Sequence, residues 1–261
     1  MKLSVILGQG GDCPGRPVET WERSTLVSAP HSIRPRPISP RTGVVEKAGF
    51  IKRTNAQTSK ADTPQKERIR RITAKLFADK GYRAVGVAEI GEAVGLGRGA
   101  LYYHIGSKED LLYDIMIRYI TDLVTVGHQI LEEYSDPYDR ITQLSRYMMR
   151  TITNNLSELT VCFREADSLT GERHREVSQL HLHYQEVWAT TLKQGAAQGV
   201  FRELPQVALK GILGMYFYSF LWLNPGGRNT SDEIADIFAD IVFRASSKAA
   251  PGNGQRAAQD L

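Results

Sequence analysis

The sequence contains little cysteine and no long hydrophobic run. Cys13 and Cys162 are the only two cysteines in 261 residues, which excludes a disulfide framework and favours a reducing cytoplasm. The apolar run at residues 4–7 is too short for the core of a signal peptide, and no later run approaches a membrane span. No segment alternates polar and apolar residues as a half-buried strand does. We therefore expect a cytoplasmic, all-α protein without membrane segments.

Common catalytic and metal-binding patterns are also missing. No Ser/His/Asp order, phosphate-binding loop or paired-carboxylate site stands out. On one helix His181 and His183 would point in nearly opposite directions, and His174 would lie two turns from His181, too far to share an ion. We interpret these histidines as solvated. The sequence thus predicts no enzyme, no cofactor and no metal site.

Charge is unevenly distributed along the chain. The net charge is +4, and the basic excess lies in residues 1–112, which suits a protein that places one end on phosphates. Residues 1–62 are rich in proline and arginine without helical or strand periodicity, so we expect a disordered basic tail or a misplaced translation start. The alternative is a basic arm that adds nonspecific DNA affinity. Residues 247–261 are predicted to form a second disordered tail.

Residues 87–112, VAEIGEAVGLGRGALYYHIGSKEDLL, contain two short helical patterns separated by a glycine. A first helix over residues 88–94 places three apolar residues on one face: Ile90, Ala93 and Val94. Gly95 can adopt the positive φ that ends a helix. A second helix fits residues 98–104, with Leu101 facing inward. Two helices across a tight turn form a helix-turn-helix, whose second helix can enter the major groove of DNA.

The second helix and the turn after it are dense in groups that can meet DNA. Arg98 can bond a guanine edge with two hydrogen bonds. Tyrosine hydroxyls and Lys108 suit phosphate oxygens, and the helix that starts at Ser107 offers free backbone N–H groups. For Tyr103, packing inside the head is an equal alternative. The predicted DNA-binding residues are Arg98, Gly99, Ala100, Tyr102, Tyr103, His104, Ser107 and Lys108.

This stretch resembles the DNA-binding head of the TetR family of bacterial transcriptional regulators. The residues that match the family pattern at fixed spacing are Ile90, Gly95, Gly99, Leu101, Tyr102, His104, Ser107, Lys108, Glu109 and Leu111. Gly86 and Gly97 stand where the family usually has capping hydroxyl residues, and Ile105 replaces a Phe. Glycine caps are only roughly a few tenths of a kcal/mol worse than serine. The resemblance implies a three-helix head over residues 63–110.

The rest of the chain is predicted to be helical. Thr63 can cap the first helix, and a helix from Ser107 is long enough to connect the head to a second domain over residues 111–246. Five more helices are predicted over residues 137–154, 157–169, 172–198, 205–223 and 231–245. The expected fold is all-α with about nine helices: an N-terminal helix-turn-helix head and a C-terminal helical domain for ligand binding and dimerisation.

The last two predicted helices favour dimerisation. The helix over residues 205–223 is apolar nearly all round and must be covered on every side. The helix over residues 231–245 adds a second apolar stripe. Paired with their symmetry mates, two such helices make a four-helix dimer interface, as in TetR-like proteins. We therefore expect a homodimer.

Aromatic residues of the C-terminal domain can line a ligand cavity, since apolar walls with a few polar tips define most such sites. Plain core packing explains each residue individually. FREADSL, a central Trp, KQGAAQGVFR and NPGG between residues 163 and 227 resemble TetR members that control lipid or steroid breakdown. That resemblance implies a bulky apolar effector, such as an acyl or steroid-derived coenzyme A thioester, with Trp188 against its apolar part and Arg164 at its charged end. The predicted ligand-binding residues are Tyr147, Phe163, Arg164, Tyr184, Trp188 and Tyr216.

Together these patterns predict a ligand-responsive transcriptional regulator, a repressor that a small apolar metabolite releases from a palindromic operator. Its partners would be double-stranded DNA, a second copy of the chain and the effector. One alternative is a ligand-blind architectural DNA-binding protein. Another is a helical lipid-binding carrier or enzyme, which leaves the head motif unexplained. Operator binding that one metabolite reverses distinguishes all three.

Overall fold

The computed structural model describes residues 63–248, and this part of the chain contains helices but no strand. The helices are α1 (Pro64–Lys80), α2 (Val87–Val94), α3 (Arg98–Ile105), α4 (Lys108–Glu133), α5 (Pro137–Asn154), α6 (Leu156–Arg164), α7 (Gly171–Ala197), α8 (Gln206–Phe217) and α9 (Ser231–Ser246), with 3-10 helices at Ala166–Ser168 and Tyr218–Leu221. None of these helices is long and apolar enough to cross a membrane. The predicted tail at 1–62 and residues 249–261 of the second tail lie outside the described residues.

Side-chain caps mark the start of four of the nine described α-helices, namely α1, α4, α5 and α9. Thr63 and Ser107 each accept a hydrogen bond from a backbone N–H of the following turn, at 3.2 and 2.9 Å. A reciprocal capping box between Thr230 and Glu233 starts α9. These bonds satisfy backbone donors that the first turn of a helix leaves unpaired. The predicted bounds of α5 and α9 therefore agree with the structure to within one residue.

Two helices end earlier than the sequence pattern predicts. The helix expected over residues 157–169 ends just before Glu165, whose side chain accepts a hydrogen bond from the Tyr82 N–H at 3.0 Å. The helix expected over residues 205–223 ends at Phe217. Each continues as a short 3-10 turn. Where α6 ends, the hydrogen bond between Glu165 and Tyr82 joins residues 83 positions apart in the sequence. Helical periodicity cannot reveal a contact of this kind.

One hydrophobic core runs from the head into the C-terminal helical domain over residues 111–246, which we call the body. Its head portion includes the fully buried Ile69, Phe77, Ile90, Val94 and Leu101. Ala93 is exposed, so the prediction that it shares the apolar face of α2 was wrong. Gly91 is the buried residue there instead, and a methyl group on it would approach the Leu96 carbonyl oxygen to 2.9 Å. The turn between α2 and α3 thus needs a small residue on the inner face of α2.

In the body, α4 packs against α7 and α5 packs against α9. The helices α4 and α7 approach one another closely at Gly127. A methyl group added there would meet the side-chain carbons of Val187 at 3.0 and 3.3 Å and the ring of Tyr184 at 3.5 Å. The shorter two distances lie below ordinary carbon–carbon contact. A methyl group here would therefore require the Val187 side chain to shift by a few tenths of an ångström, so glycine favours the close approach of the helix that connects the head to the body.

Candidate DNA-binding and effector sites

A left-handed glycine joins α2 to α3. Gly95 has φ 70° and ψ 35°, and its N–H bonds back to the carbonyl of Glu92 at 3.1 Å. Such a conformation ends a helix at little steric cost only in glycine. Leu101 and Ile105 bury the inner face of α3, so the opposite face meets solvent. This geometry is a helix-turn-helix with α3 as its recognition helix.

The outer face of α3 presents most of the predicted DNA-binding side chains. Tyr103 is 72% exposed, so the alternative in which it packs inside the head was wrong. The Arg98 guanidinium lies 5.8 Å from the centroid of the Tyr102 ring, and the rings of Tyr103 and His104 meet edge to face with centroids 5.3 Å apart. Gly99 and Ala100 are also exposed. The face therefore combines a fixed positive charge with hydroxyl and imidazole groups, which suit base edges and phosphates.

Lys108 and Ser107 are more constrained than the sequence suggested. The Lys108 ammonium lies 4.3 Å from the centroid of the Tyr82 ring, and partial burial lowers its pKa. Ser107 donates to the Asp110 carboxylate at 2.7 Å, so an acidic side chain already lies at the start of α4. Lys108 thus supports the corner between α1 and α2 in addition to being a candidate phosphate contact.

The C-terminal end of α6 fastens the body to the head. Glu165 Oε1 accepts the Tyr82 N–H at 3.0 Å, and Glu165 Oε2 accepts the Ser168 hydroxyl at 2.9 Å. Arg164 donates from Nη1 to the Ala78 carbonyl at 2.8 Å. We call Arg164 and Glu165 the α6 latch. The structure does not bring Arg164 to the predicted effector site, because α6 ends there with this side chain directed at α1.

A charged cluster makes a second junction between α1, α4 and α6. The Glu67 carboxylate lies 2.6 Å from Arg70, 2.7 Å from Arg71 and 3.7 Å from Arg118 of α4. Glu158 of α6 is buried beside the same arginines, and this burial raises the pKa of its carboxyl group. The head therefore meets the body through hydrogen bonds and ion pairs as well as apolar packing.

Four of the six predicted ligand-binding residues lie together. The rings of Trp188 and Tyr216 have centroids 5.2 Å apart. Tyr184 lies one turn before Trp188. Burial raises the pKa of Tyr184, and the nearby phenols of Tyr216 and Tyr147 raise it further. The Tyr216 hydroxyl lies 2.6 Å from that of Ser145. Trp188, Tyr184 and Tyr216 are fully buried and Tyr147 is half-buried against them, so these side chains belong to the core of the domain.

Phe163 belongs to a neighbouring aromatic group. It stacks on Phe220 with centroids 4.8 Å apart and contacts Phe217 at 6.1 Å. Phe217 in turn meets the rings of Tyr184 at 6.4 Å and His181 at 5.9 Å. Phe217 thus connects the predicted cluster around Trp188 to Phe163 and to His181.

His181 lines a pocket that the sequence pattern did not predict. Its side chain is 6% exposed, and Nε2 lies 3.0 Å from the Tyr119 hydroxyl. The interpretation of His181 as solvated was therefore wrong: α7 packs against α4, which buries this position. Burial lowers the pKa of His181 to about 4, so the imidazole is neutral near pH 7. The pocket is lined by Met116, Cys162, Ala166, Leu169, His174, Val177, Ser178 and His181.

The pocket and the aromatic cluster share one side of α7. Positions 174, 177, 178, 181, 184 and 188 recur at spacings of three and four, which places them along one helical stripe. Extending the stripe back from Trp188 would have found His181 in the sequence. The other wall includes Ala166 and Leu169, which immediately follow the α6 latch. Residues that would contact a ligand therefore lie within a few positions along the chain of the residues that hold the head.

An apolar surface remains uncovered on α8, α9 and the turn between them. Its residues are 45–72% exposed: Val207, Leu221, Trp222, Ile237 and Ile241. Large exposed apolar patches mark interaction surfaces. These residues belong to the two helices that the sequence predicts to form a four-helix interface with a second copy.

Two family models match the chain. One, described as bacterial regulatory proteins of the tetR family, covers residues 69–115, and the other, the tetracyclin repressor-like C-terminal domain, covers residues 134–246. The transcriptional repressor KstR2 of Rhodococcus jostii (strain RHA1) is 29% identical over 175 residues, which are 66% of this chain and 86% of that protein.

Solved structures agree with these matches. The TetR family regulator PfmR from Thermus thermophilus is 32% identical with a TM-score of 0.64, over 68% of this chain and 97% of that chain. AibR in complex with isovaleryl coenzyme A and operator DNA is 26% identical with a TM-score of 0.61, over 69% of this chain and 98% of that chain. The helix-turn-helix with an exposed outer face on α3, the uncovered apolar surface of α8 and α9, and these similarities lead to one conclusion. The chain belongs to the TetR family of bacterial transcriptional regulators.

Proposed function

We propose that this protein is a homodimeric repressor that binds a palindromic operator and is released from it by a small apolar metabolite. The head would comprise residues 63–110, and residues 111–246 would bind the effector and the second subunit. One observation carries the proposal: Ala166 and Leu169 line the pocket, and Glu165, immediately before them, holds the head. A ligand in this pocket therefore acts on the segment that positions α3.

On the DNA side, α3 of each subunit would enter the major groove of one half-site. Arg98 would read a guanine edge, since its guanidinium projects from the exposed start of α3. Tyr102, Tyr103 and Lys108 would contact phosphates and fix the register of the helix. Two such heads in a symmetric dimer fit half-sites about 34–36 Å apart. Operator affinity then depends on the distance between the heads.

On the effector side, the α7 stripe from His174 to Trp188 offers an apolar wall with a few polar tips, as ligand sites usually do. The similarity to AibR, whose structure holds isovaleryl coenzyme A and operator DNA, and the resemblance of residues 163–227 to regulators of lipid or steroid breakdown support an acyl or steroid-derived coenzyme A thioester. Its apolar part would lie along this stripe towards Trp188. Since Arg164 holds the head, another cation would meet the charged end.

Release requires a difference in affinity between two states. A ligand that enlarges the pocket would move Ala166 and Leu169 and, with them, the α6 latch. The state with a displaced latch would then bind ligand more tightly and operator less tightly. Shifting a population from 1:99 to 99:1 needs a difference of about 5.5 kcal/mol in ligand binding. The pocket and the latch are close enough for one motion to change both sites.

Fluorescence anisotropy with labelled DNA from the promoter region of the protein's own gene tests this function. We expect saturable, sequence-specific binding that isovaleryl coenzyme A or a longer acyl or steroid thioester reverses. A ligand-blind architectural protein would bind the DNA without release by any thioester, fatty acid or steroid. A lipid carrier would bind the ligand without preferring any DNA sequence. Either result would contradict the proposal.

A matched pair of variants tests the dimer surface. Ile241→Glu places a charge on the apolar surface of α9, whereas Asp240→Lys alters charge at the neighbouring exposed position. We expect sedimentation velocity to show a monomer for Ile241→Glu and a dimer for Asp240→Lys. Weak operator binding should accompany the monomer, because one head can contact only one half-site. A dimer in both variants would place the interface elsewhere.

A further inference from the structure

Two adjacent polar groups of the inner aromatic cluster are buried without hydrogen-bond partners. They are the hydroxyl of Tyr184 and the indole Nε1–H of Trp188, and both side chains are fully buried. The great majority of buried polar groups in proteins are paired, because an unpaired donor loses its hydrogen bonds to water without replacement. Two such donors on one turn of α7 therefore call for an acceptor that binds between them.

The two groups lie close to one another. The Trp188 N–H is near enough to the Tyr184 oxygen to oppose part of the rise in the pKa of Tyr184 that burial causes, yet the two do not meet in hydrogen-bond geometry. The neighbouring Tyr216 hydroxyl differs, because it lies 2.6 Å from the Ser145 hydroxyl. Among the polar groups of this cluster, the vacant hydrogen-bonding capacity therefore belongs to Tyr184 and Trp188.

The chemistry of these donors selects the group that fits. An indole N–H can only donate, and a phenol donates readily, so the missing partner is an acceptor with two lone pairs. A carboxylate would bring an uncompensated charge among aromatic rings. A water molecule would need further acceptors for its own hydrogens, whereas the neighbouring Tyr216 hydroxyl is already paired with that of Ser145. A neutral carbonyl oxygen accepts both bonds and needs nothing more.

We propose that Tyr184 and Trp188 together bind a ketone oxygen on the apolar part of the effector. This inference rests on the proposed function only in assuming that the effector reaches this part of the α7 stripe. The carbonyl would accept one hydrogen bond from each side chain, while the apolar remainder lies along the pocket towards His181. The pair would thereby distinguish an oxidised, carbonyl-bearing metabolite from a hydrocarbon of the same shape.

The experiment compares two neutral probes of nearly equal shape, cyclohexanone and methylenecyclohexane, which differ in the acceptor oxygen. The chain has three tryptophans, so protein labelled with ¹⁵N-tryptophan gives few indole N–H resonances, and the one lost in Trp188→Phe is assigned to Trp188. We expect cyclohexanone to shift this resonance downfield, as a new hydrogen bond does. Methylenecyclohexane should produce no downfield shift.

Two tyrosine variants form the matched comparison. Tyr184→Phe removes one proposed donor and keeps the ring, so cyclohexanone should bind about five- to tenfold more weakly, the factor that corresponds to one net hydrogen bond. Tyr138→Phe removes the hydroxyl of an exposed side chain at the start of α5, outside this cluster, so the preference for the ketone should be unchanged. Circular dichroism shows whether each variant is folded. The comparison of the two probes on wild-type protein depends on no variant other than Trp188→Phe, which is used only to assign the resonance.

The outcomes separate this inference from the proposed function. Equal effects of both probes on the Trp188 resonance, no effect of cyclohexanone up to its solubility, or undiminished binding in Tyr184→Phe would each overturn the carbonyl site. Because the indole resonance reports ligand contact without DNA, a ketone-specific shift would stand even if no metabolite released the operator. In that event the repressor mechanism would fail and the carbonyl site would remain.

Discussion

Replacing Glu165 by alanine tests whether the α6 latch holds the head. The carboxylate accepts the Tyr82 N–H at 3.0 Å in a half-buried position, and a hydrogen bond to a charged group contributes about 1.5–3 kcal/mol. Amide exchange reports local opening. At about 1.4 kcal/mol for each tenfold change, the Tyr82 amide should exchange about 10- to 150-fold faster in Glu165→Ala.

Hydrogen–deuterium exchange of the peptide that contains Tyr82 measures this effect. Glu165→Gln retains an oxygen acceptor without the charge and should show intermediate exchange. Asp167→Ala removes an exposed carboxylate from the adjacent 3-10 turn and should leave the exchange of Tyr82 unchanged. Wild-type exchange in Glu165→Ala, or equal acceleration in Asp167→Ala, would refute the view that this hydrogen bond fastens the head. If the latch also stabilises the operator-binding state, Glu165→Ala should bind operator more weakly and need less ligand for release.

Further substitutions test the DNA face, the buried histidine and a packed glycine. Arg98→Ala should remove the base preference at one position of each half-site, whereas Lys108→Ala should weaken binding to all sequences and lower the salt dependence of the binding constant by about one unit of slope. Fluorescence anisotropy over a salt series and a set of operator variants measures both effects. An equal loss of specificity in the two variants would contradict the division of roles. The pKa of His181 is about 4 in the folded protein against 6.5 in an unperturbed chain, so the unfolded state binds the proton first and stability falls as pH drops between these values. Between pH 7 and pH 5 the free energy of unfolding, measured with urea, should therefore fall by about 2 kcal/mol more in wild type than in His181→Gln. An equal pH dependence of the two proteins would show that burial does not suppress protonation of His181. Gly195→Ala should destabilise the fold by about 1–3 kcal/mol, because its methyl group would overlap the Phe201 ring, and an unchanged Tm would mean that the ring moves aside freely.

The sequence predicts the helices well where their signals are local. Asp136 caps α5 through backbone N–H groups of the next two turn residues, and Pro137 fits the first helical position. Gly95 ends α2 because it adopts a left-handed conformation that other residues avoid. The outer face of α3 follows from Leu101, whose burial fixes the rotation of an eight-residue helix. Each of these features depends on residues within one or two turns.

The effector side depends on contacts between distant segments, and there the sequence is less informative. Arg164 and Glu165 read as ordinary surface charges, yet both bind backbone groups of the head more than 80 positions away. His181 pairs with Tyr119 only because α4 and α7 pack together. By contrast, Trp188 and Tyr216 could be placed together because bulky aromatic residues on neighbouring helices share a core. Hydrophobicity thus locates the cluster, but polar contacts decide which residues transmit a signal.

The missing side chain at Gly127 has a consequence for the operator. Gly127 lies 19 positions after the start of α4 at Lys108, which is about 29 Å along the helix at 1.5 Å per residue. If α4 tilts about Gly127, each degree of tilt moves the end of α4 nearest the DNA by roughly half an ångström. A methyl group at position 127 that tilted α4 away from Val187, rather than shifting that side chain, would therefore change the distance between the two heads on the DNA. The half-site spacing that the dimer fits would then depend partly on Gly127, a residue that contacts neither the operator nor α3.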